Sequence, residues 1–225
     1  MSRKASVFIV DDDDAVRGSL CLLLKSVGLP AIAYASAAEF LSAWQPEQSG
    51  CVVLDVRMPG MTGIELQHEL NRRGAIIPVI FISGHADIPM AVEAIQHGAF
   101  DFLQKPFRDQ EFIDRVQRAL TTDAQRRDEL AKHEVIRERF DSLTPREREV
   151  LNLVTQGKAN KVMAGRLGIS QRTVEIHRAR VMEKMGAASL AQLVRMMLDL
   201  EAQSPSTRRL QTLRYAVDAR EQRLE

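Results

Sequence analysis

The sequence has few cysteines and no long apolar run, and these absences exclude two classes of protein. Among 225 residues there are two cysteines, Cys21 and Cys51, whose spacing fits neither a disulfide framework nor a metal site. No apolar run approaches the roughly 18 residues that a membrane helix needs, and the first residues do not form a secretory signal. The aromatic content of 5% indicates little about the class of protein. We therefore expect a cytoplasmic protein without membrane contact, whose cysteines are reduced and buried.

Charge is divided unevenly along the chain, although the net charge is only +1. Residues 1–125 hold 11 Lys and Arg against 16 Asp and Glu, a net charge of −5, whereas residues 126–225 hold 20 against 14, a net charge of +6. An acidic half suggests a metal or phosphate site, and a basic half suggests a polyanionic partner such as nucleic acid. By itself this charge pattern is weak evidence for a nucleic-acid partner.

Up to about residue 120, short apolar runs alternate with helical patterns. The runs are SVFIV, PAIAY, CVVLD, PVIFIS and DFLQK. Alternation of this kind predicts a parallel sheet that is covered by helices on both faces. Five strands and five helices in about 120 residues indicate an α/β fold of the flavodoxin-like (βα)5 class.

The region after this unit begins with a charged segment, residues 121–142, in which apolar residues are scattered. We predict a helical linker there that is too polar to be core. Two interpretations are open, because such a helix either pairs with its copy in a dimer or is solvated on all sides. The basic tail at residues 203–225 has no assigned role.

Start and stop signals predict four short helices after residue 142, forming a small all-α domain. Thr144 and Glu147 have the spacing of a capping box, and Pro145 lies at the first helical position. Further signals are N-cap residues at Asn160, Ser170 and Ser189 and a C-terminal glycine at Gly168. The second and third of these helices, with a turn at residues 167–170, form a predicted helix-turn-helix. Its predicted buried side consists of Val162, Leu167, Val174 and Val181.

Polar residues follow the predicted strands at the points where the strands end. They are Asp11, Asp12, Asp55, Ser83 and Lys105. The carboxyl ends of parallel strands lie on one rim, where doubly wound sheets bind their ligands. A single Asp after a strand is usually a helix cap, but the joint placement of these five residues predicts a site.

The residue types at this rim suit phosphoryl chemistry. Three carboxylates favour a hard cation such as Mg²⁺, which also cancels their mutual repulsion. Asp55 can then be a nucleophile, with Lys105 and Ser83 holding the phosphate oxygens. Asp13 and Asp14, the rest of the aspartate run, lie where the next helix begins, and we assign them to capping and solvent.

Four stretches resemble the two-component response regulators, and among them the NarL/FixJ type. They are VDDD (10–13), LDVRMPGMTGIEL (54–66), ISGHADIPMAVEAIQHGAFDFLQKPF (82–107) and LTPREREVLNLVTQGKANKVMAGRLGISQRTVEIHRARV (143–181). The resemblance implies a receiver domain at residues 1–120 and a LuxR-type helix-turn-helix domain at residues 143–202. The linker at residues 121–142 would join them.

For the receiver domain, the resemblance implies that Asp55 accepts a phosphoryl group from a sensor histidine kinase. Mg²⁺ would be bound directly by Asp12, Asp55 and the backbone carbonyl of Arg57, whereas Asp11 would act mainly through water. Asp11 completes the expected metal site.

The resemblance also implies a set of switch residues. Ser83 and Lys105, the latter before the cis-capable Pro106, would hold the phosphate, and Phe102 would be the aromatic switch residue. Because Phe102 has no hydroxyl group, inward burial would define its active rotamer. Arg57 and His85 occupy positions that tune hydrolysis of the phosphoryl group. His85 has an alternative interpretation as an ordinary surface histidine.

For the basic module, the arginines of the second helix exceed what a structural element needs. The resemblance places Glu175, Ile176 and Ala179 at positions that face base edges. It places Thr173, His177, Arg180 and Lys161 closer to phosphates. Since Glu175 and Ala179 depart from the basic residues usual there, Arg172 or Arg178 are alternative base contacts. Glu175 could instead be an intrahelical partner of Arg172 or Arg178.

Together these features predict a phosphorylation-dependent transcriptional regulator. Phosphorylation would remodel the surface around residues 87–97, promote homodimer formation and raise affinity for palindrome-like promoter DNA. The family mostly activates transcription by contacting RNA polymerase. Alternatives are a Mg²⁺-dependent phosphohydrolase that uses Asp55 as nucleophile, and a DNA-binding protein that is never phosphorylated.

Overall fold

The structure, a computed structural model, describes residues 5–84 and 88–202, and of residues 88–90 only the backbone. His85 and the tail at residues 203–225 therefore lie outside the described residues. Contacts between residues divide the chain into two compact units, and the boundary along the sequence falls between Asp128 and Glu129. In the described part of the chain, no helix has the length and apolar character required to cross a membrane.

The first unit alternates strands and helices as the sequence predicted. Its elements are β1 (Ser6–Val10), α1 (Asp14–Ser26), β2 (Ala31–Tyr34), α2 (Ala37–Ala43), β3 (Gly50–Asp55), α3 (Gly63–Arg72), β4 (Val79–Ser83), α4 (Ile88–Gln96), β5 (Asp101–Gln104) and the first part of α5 (Asp109–Asp141). All strand pairs are parallel, and the strand order is β2-β1-β3-β4-β5. The predicted flavodoxin-like α/β fold is confirmed.

Strand β3 lies at the centre of the sheet, and all six of its residues are buried. Because side chains alternate along a strand, Val52 and Leu54 belong to the core on one face of the sheet. Cys51 and Val53 belong to the core on the other face. Both cysteine thiols are free, Cys51 being buried and Cys21 half-buried against the second core.

The aspartate run divides at the start of α1. Asp13 is the N-cap residue, and its carboxylate accepts hydrogen bonds from the backbone N–H groups of Ala15 at 2.8 Å and Val16 at 3.3 Å. Asp14 is the first helical residue and forms an ion pair with Arg17 at 2.8 Å. The prediction that these two carboxylates serve the helix start is confirmed.

Helix α5 runs for 33 residues without interruption, so the predicted linker begins inside a helix that starts in the first unit. The expectation that the segment is too polar to be core is wrong at Asp123, which is fully buried. Its carboxylate accepts hydrogen bonds from Ser49 Oγ at 2.7 Å and from the backbone N–H of Gly50 at 2.8 Å. It also pairs with Arg127 at 2.9 Å. A charged side chain can be buried here because both carboxylate oxygens accept hydrogen bonds and the guanidinium of Arg127 supplies the opposite charge.

The guanidinium of Arg127 extends the same network to the loop before β3. It donates hydrogen bonds to the backbone carbonyls of Gln48 at 2.5 Å and Pro46 at 3.3 Å. The network holds residues 123–127 of α5 on the amino-terminal edge of the sheet, opposite the rim on which ligands are expected.

The second unit contains the last part of α5 followed by α6 (Pro145–Thr155), α7 (Asn160–Leu167), α8 (Gln171–Met185) and α9 (Leu190–Ala202). Ile136 and Phe140 of α5 pack against its core, so this part of the predicted linker is also less solvated than its composition suggested. Arg139 donates a hydrogen bond to the carbonyl of Met185 at 3.0 Å. The short helices connected by tight turns confirm the predicted helix-turn-helix.

Most of the predicted helix caps are present. Thr144 and Glu147 form the capping box, Ser170 caps α8, and Gly168 ends α7 in the left-handed conformation. Ser189 Oγ accepts a hydrogen bond from the backbone N–H of Gln192 at 3.2 Å.

Two sequence-based predictions for α7 are wrong. Asn160 is not the N-cap, because Ala159 occupies that position and Asn160 is already helical. The Asn160 amide instead contacts α8. Val162 is exposed, because Met163 and Ala164 are the residues of α7 that pack into the core of the second unit.

Glu147 joins α6 to α8 in the core of the second unit. Its buried carboxylate accepts hydrogen bonds from Lys184 Nζ at 2.7 Å and from the Thr144 backbone N–H at 2.9 Å. These two bonds lower the pKa of Glu147 to about 2, so the carboxylate remains ionised and the ion pair intact throughout the neutral range.

We expect Asp123→Ala to lower the free energy of unfolding of the first unit by about 3 kcal/mol, because it leaves Arg127 without its buried partner. Trp44, the one tryptophan of the chain, is buried in this unit and reports its unfolding by fluorescence in urea. Glu129→Ala, at an exposed position of the same helix, should change stability by less than about 0.5 kcal/mol. Equal midpoints for the two variants would contradict the structural role of Asp123.

Candidate functional site

The strand order brings two aspartates together at the carboxyl edge of the sheet. Strands β1 and β3 are adjacent and parallel, with Val10 paired to Leu54, so that Asp11 and Asp55 occupy the same rim. Asp11 is 1% exposed and Asp55 is 7% exposed. Lys105, which follows β5, reaches between them, and its Nζ lies 2.8 Å from Asp11 Oδ2 and 2.9 Å from Asp55 Oδ1. One ammonium group thus compensates two buried carboxylates.

The remaining carboxylate oxygens are oriented by the backbone. Asp11 Oδ1 accepts a hydrogen bond from the N–H of Asp13 at 2.9 Å, and Asp55 Oδ2 accepts one from the N–H of Arg57 at 2.7 Å. Arg17 of α1 donates to the carbonyl oxygen of Asp11 at 2.8 Å. Each carboxylate is therefore fixed by one lysine bond and one backbone bond, which leaves it little rotational freedom.

Burial and charge act in opposite directions on the acid–base properties of this cluster. Burial raises the pKa of Asp55, and the bonds from Lys105 and Arg57 offset this only in part. For Lys105, burial alone would lower the pKa, but its bonds to Asp11 and Asp55 outweigh that effect, and its pKa is raised. Lys105 is therefore charged at neutral pH.

The other predicted rim residues lie on β4 and β5. Ser83 is buried at the end of β4, and its carbonyl oxygen accepts a hydrogen bond from the N–H of Lys105 at 2.8 Å. The Lys105–Pro106 peptide bond is cis. Phe102 is half-buried, and its ring centroid lies 6.4 Å from that of Phe81. The structure brings Asp11, Asp55, Ser83 and Lys105 onto one rim.

The predicted metal site is only partly assembled in the described residues. Asp12 and the side chain of Arg57 are exposed, and no group of three or more His, Cys, Asp or Glu side chains in residues 5–84 and 88–202 could hold a metal ion together. The donors at the rim are nevertheless all oxygen atoms. Mg²⁺ commonly uses one or two carboxylates and retains several waters, so Asp11 and Asp55 satisfy its chemistry.

Gly63 supports the site, and the sequence analysis did not identify it. A Cβ atom at this position would lie 2.2 Å from the carbonyl oxygen of Asp55 and 3.1 Å from Cγ of Leu54. Gly63 begins α3, whose N-cap Thr62 forms a capping box with Glu65. The T-x-x-E pattern in the sequence signals this helix start, but the close approach to β3 follows only from the packing.

The predicted DNA-binding residues lie on the solvent side of the helix-turn-helix. Exposed side chains are those of Lys161, Arg172, Glu175, Ile176, Ala179 and Arg180, and half-buried ones are those of Thr173, His177 and Arg178. Val174 and Val181 of α8 are buried in the unit's core. The exposed face of α8 is therefore basic and leaves room for a duplex groove.

Asn160 joins this surface, although the sequence indicated a cap there. Its Oδ1 accepts a hydrogen bond from Arg178 Nη1 at 2.7 Å, and its Nδ2 lies 3.5 Å from Glu175 Oε1. Glu175 is thus in contact with a neighbouring helix, rather than with the intrahelical arginine that the sequence suggested as one alternative. An amide bridge of this kind has no distinctive sequence pattern.

Comparisons with known proteins agree with this division into two functional units. The family model for the response regulator receiver domain matches residues 7–117. The model for bacterial regulatory proteins of the luxR family matches residues 141–197.

Individual relatives extend over most of the chain. The transcriptional regulatory protein FixJ of Azorhizobium caulinodans is 52% identical over 199 residues, which cover 88% of this chain and 94% of that protein. Nodulation protein W of Bradyrhizobium diazoefficiens is 49% identical over 195 residues, which cover 87% and 86%. The solved structure of the response regulator StyR has a TM-score of 0.81 at 45% identity and covers 87% of this chain and 98% of that one.

A receiver-type sheet with an acidic rim, followed by a LuxR-type helix-turn-helix, defines a two-component response regulator with a DNA-binding output. The chain belongs to the NarL/FixJ type of this family. It is accordingly a transcription factor that acts on DNA in a phosphorylation-dependent manner.

We expect Gly63→Ala to destabilise the first unit by about 2 kcal/mol, because the added methyl group overlaps the backbone that carries Asp55. Gly18→Ala is a matched control within α1, where a Cβ meets nothing within 4 Å. It should stabilise the unit by about 0.5–1 kcal/mol through helix propensity. Urea unfolding followed by Trp44 fluorescence measures the stability of both variants. An unchanged stability of Gly63→Ala would show that the backbone at Asp55 can adjust to the added methyl group.

Proposed function

We propose that Asp55 is the phosphoacceptor of this regulator and receives its phosphoryl group from a sensor histidine kinase. The observation that carries the proposal is the bridge from Lys105 to Asp11 and Asp55 at the carboxyl rim of the sheet. It combines a nucleophilic carboxylate with a cation at a distance of one hydrogen bond. In phosphoryl transfer, positioning and neutralisation of charge supply most of the catalysis.

The transfer needs only a modest rearrangement of these residues. A carboxylate oxygen of Asp55 attacks phosphorus while the bond from phosphorus to the kinase histidine breaks, and the electron pair leaves with the imidazole. Lys105 then exchanges its bond to Asp55 for one to a phosphoryl oxygen. Ser83, at the end of the adjacent strand, supplies a hydroxyl to a second oxygen.

Mg²⁺ would be held by Asp55 with Asp11, Asp12 and the backbone carbonyl of Arg57. When bound, it supplies neutralisation of the charge on the transferring phosphoryl oxygens. Asp11, oriented by the N–H of Asp13, contributes a fixed carboxylate that keeps its bond to Lys105 while the lysine exchanges Asp55 for the phosphoryl group. The receiver thus catalyses its own phosphorylation and dephosphorylation, and Arg57 and His85 tune the second of these reactions.

Phosphorylation adds nearly two negative charges and three acceptor oxygens to the rim. Movement of Ser83 and Lys105 toward the phosphate frees space into which Phe102 turns, and the surface formed by α4 and β5 changes. That surface is the proposed dimer interface. Two helix-turn-helix modules then bind a palindrome-like promoter site in the cytoplasm and, with RNA polymerase, activate transcription.

We expect acetyl phosphate with Mg²⁺ to add the mass of one phosphoryl group to the protein, and Asp55→Asn to abolish this because the amide is not a nucleophile. Intact-mass spectrometry measures the product. Asp14→Asn is the matched control, since this exposed carboxylate serves the start of α1, and it should label like the natural sequence. Labelling that persists in Asp55→Asn would reject the phosphoacceptor assignment.

We also expect beryllofluoride, a phosphoryl mimic, to raise affinity for a duplex selected from a random pool by about tenfold, within the usual 1–3 kcal/mol of allosteric coupling. Titrations with and without the mimic must share one salt concentration. Light scattering should show the mass of a dimer with the mimic only. Identical affinities would indicate a regulator whose DNA binding is independent of phosphorylation, and rapid turnover of a phosphomonoester would indicate a phosphohydrolase.

A further inference from the structure

The carboxamide of Asn160 links the first helix of the helix-turn-helix to the second. Its oxygen faces a donor, Arg178 Nη1 at 2.7 Å, and its nitrogen faces an acceptor, Glu175 Oε1 at 3.5 Å. The opposite amide orientation would place donor against donor and acceptor against acceptor, so only one orientation is compatible with both neighbours. One neutral side chain therefore lies between two side chains of opposite charge.

The position of Asn160 affects how much charge Arg178 can offer to DNA. Glu175 and Arg178 are three residues apart on α8, a spacing that favours a direct ion pair. Such a pair would cancel the arginine charge locally and weaken its attraction to a polyanion. Because Asn160 contacts both side chains, it satisfies the carboxylate and the guanidinium without joining them.

The same contact determines where the guanidinium is held. Arg178 is half-buried and tied to the first residue of α7. In helix-turn-helix proteins, the first helix crosses the DNA backbone and the second enters the major groove. A side chain anchored at the start of the first helix is therefore directed to the backbone rather than to base edges. The Asn160 oxygen takes one of the five guanidinium donors and leaves the others for a phosphate.

Two further features of this corner suit a phosphate. The N-cap of α7, Ala159, provides no side-chain hydrogen bond to the first helical N–H groups. Lys161, the next residue after Asn160, is exposed. Both place positive potential beside Arg178.

We propose that Asn160 is a positioning residue of the DNA-binding surface, which directs Arg178 to a DNA phosphate and prevents its neutralisation by Glu175. The inference rests on the proposed role of α8 as the DNA-facing helix. It assigns Arg178 to affinity rather than to sequence recognition.

A double-mutant cycle in the full chain tests this proposal, using a short duplex of arbitrary sequence over a range of salt concentrations. Arg178→Ala should lower affinity about tenfold and reduce the slope of log affinity against log salt by about one, as for the loss of one phosphate contact. Asn160→Ala should lower affinity about fivefold, and the double variant should bind like Arg178→Ala alone, because Asn160 acts through the arginine. Circular dichroism melts of the variants show whether the domain remains folded.

Lys161→Ala provides the matched comparison. Because Lys161 would be an independent phosphate contact, its fold-loss of affinity should multiply with that of Arg178→Ala in the double variant. The fold-loss of Asn160→Ala should not. Asn160→Asp keeps the acceptor for Arg178 but adds negative charge beside the phosphate, so it should bind more weakly than Asn160→Ala at low salt.

The outcomes separate this inference from the function on which it rests. If the fold-losses of affinity from Asn160→Ala and Arg178→Ala multiply fully in the double variant, the positioning role is overturned. A loss confined to one base pair of a selected site with an unchanged salt slope would also overturn it, since that indicates base reading. If Arg178→Ala, Lys161→Ala, Arg172→Ala and Arg180→Ala all leave affinity and slope unchanged, α8 does not face DNA, and the proposed function fails with it.

Discussion

The bridge of one lysine between two buried aspartates is the interaction on which the receiver site depends. Two carboxylates about 4 Å apart repel by roughly 4 kcal/mol at an effective dielectric constant of about 20. Lys105 offsets this repulsion, because its ammonium group lies within hydrogen-bond distance of both carboxylates and holds Asp11 and Asp55 together. The order of the strands makes the bridge possible, because β1 and β3 are neighbours and β5 ends on the same edge.

The same bridge also explains how the site can respond to phosphorylation. A lysine that already binds two carboxylates can exchange one of them for phosphoryl oxygens without leaving the rim. The surrounding residues are held by packing and by backbone hydrogen bonds, including the close contact of Gly63 with β3. Under the proposed function, Lys105 is the residue of this rim that moves, and the half-buried Phe102 of β5 is the side chain that responds.

The sequence predicted the α/β fold, the four helices of the second unit and most caps, because these depend on local periodicity and on residues that satisfy helix ends. It also indicated four residues that meet at the rim, since parallel strands place their carboxyl ends together. It did not indicate the burial of Asp123 or the bridge formed by Asn160. Both residues are polar, and their partners lie 73 and 18 residues away in the chain. Local sequence patterns indicated a solvated linker at Asp123 and a helix cap at Asn160. Pairing with residues distant in the sequence determines the environment of both.

The network around Asp123 redefines where the receiver ends. The family match stops at residue 117, yet the sheet edge is completed by Asp123 and Arg127 from the following turns of α5. A fragment cut at the family boundary would expose the N–H of Gly50 and the carbonyl of Gln48 without these partners. The first compact unit accordingly extends through Asp128, eleven residues beyond the end of the family match, and Asp123 with Arg127 belongs to it structurally.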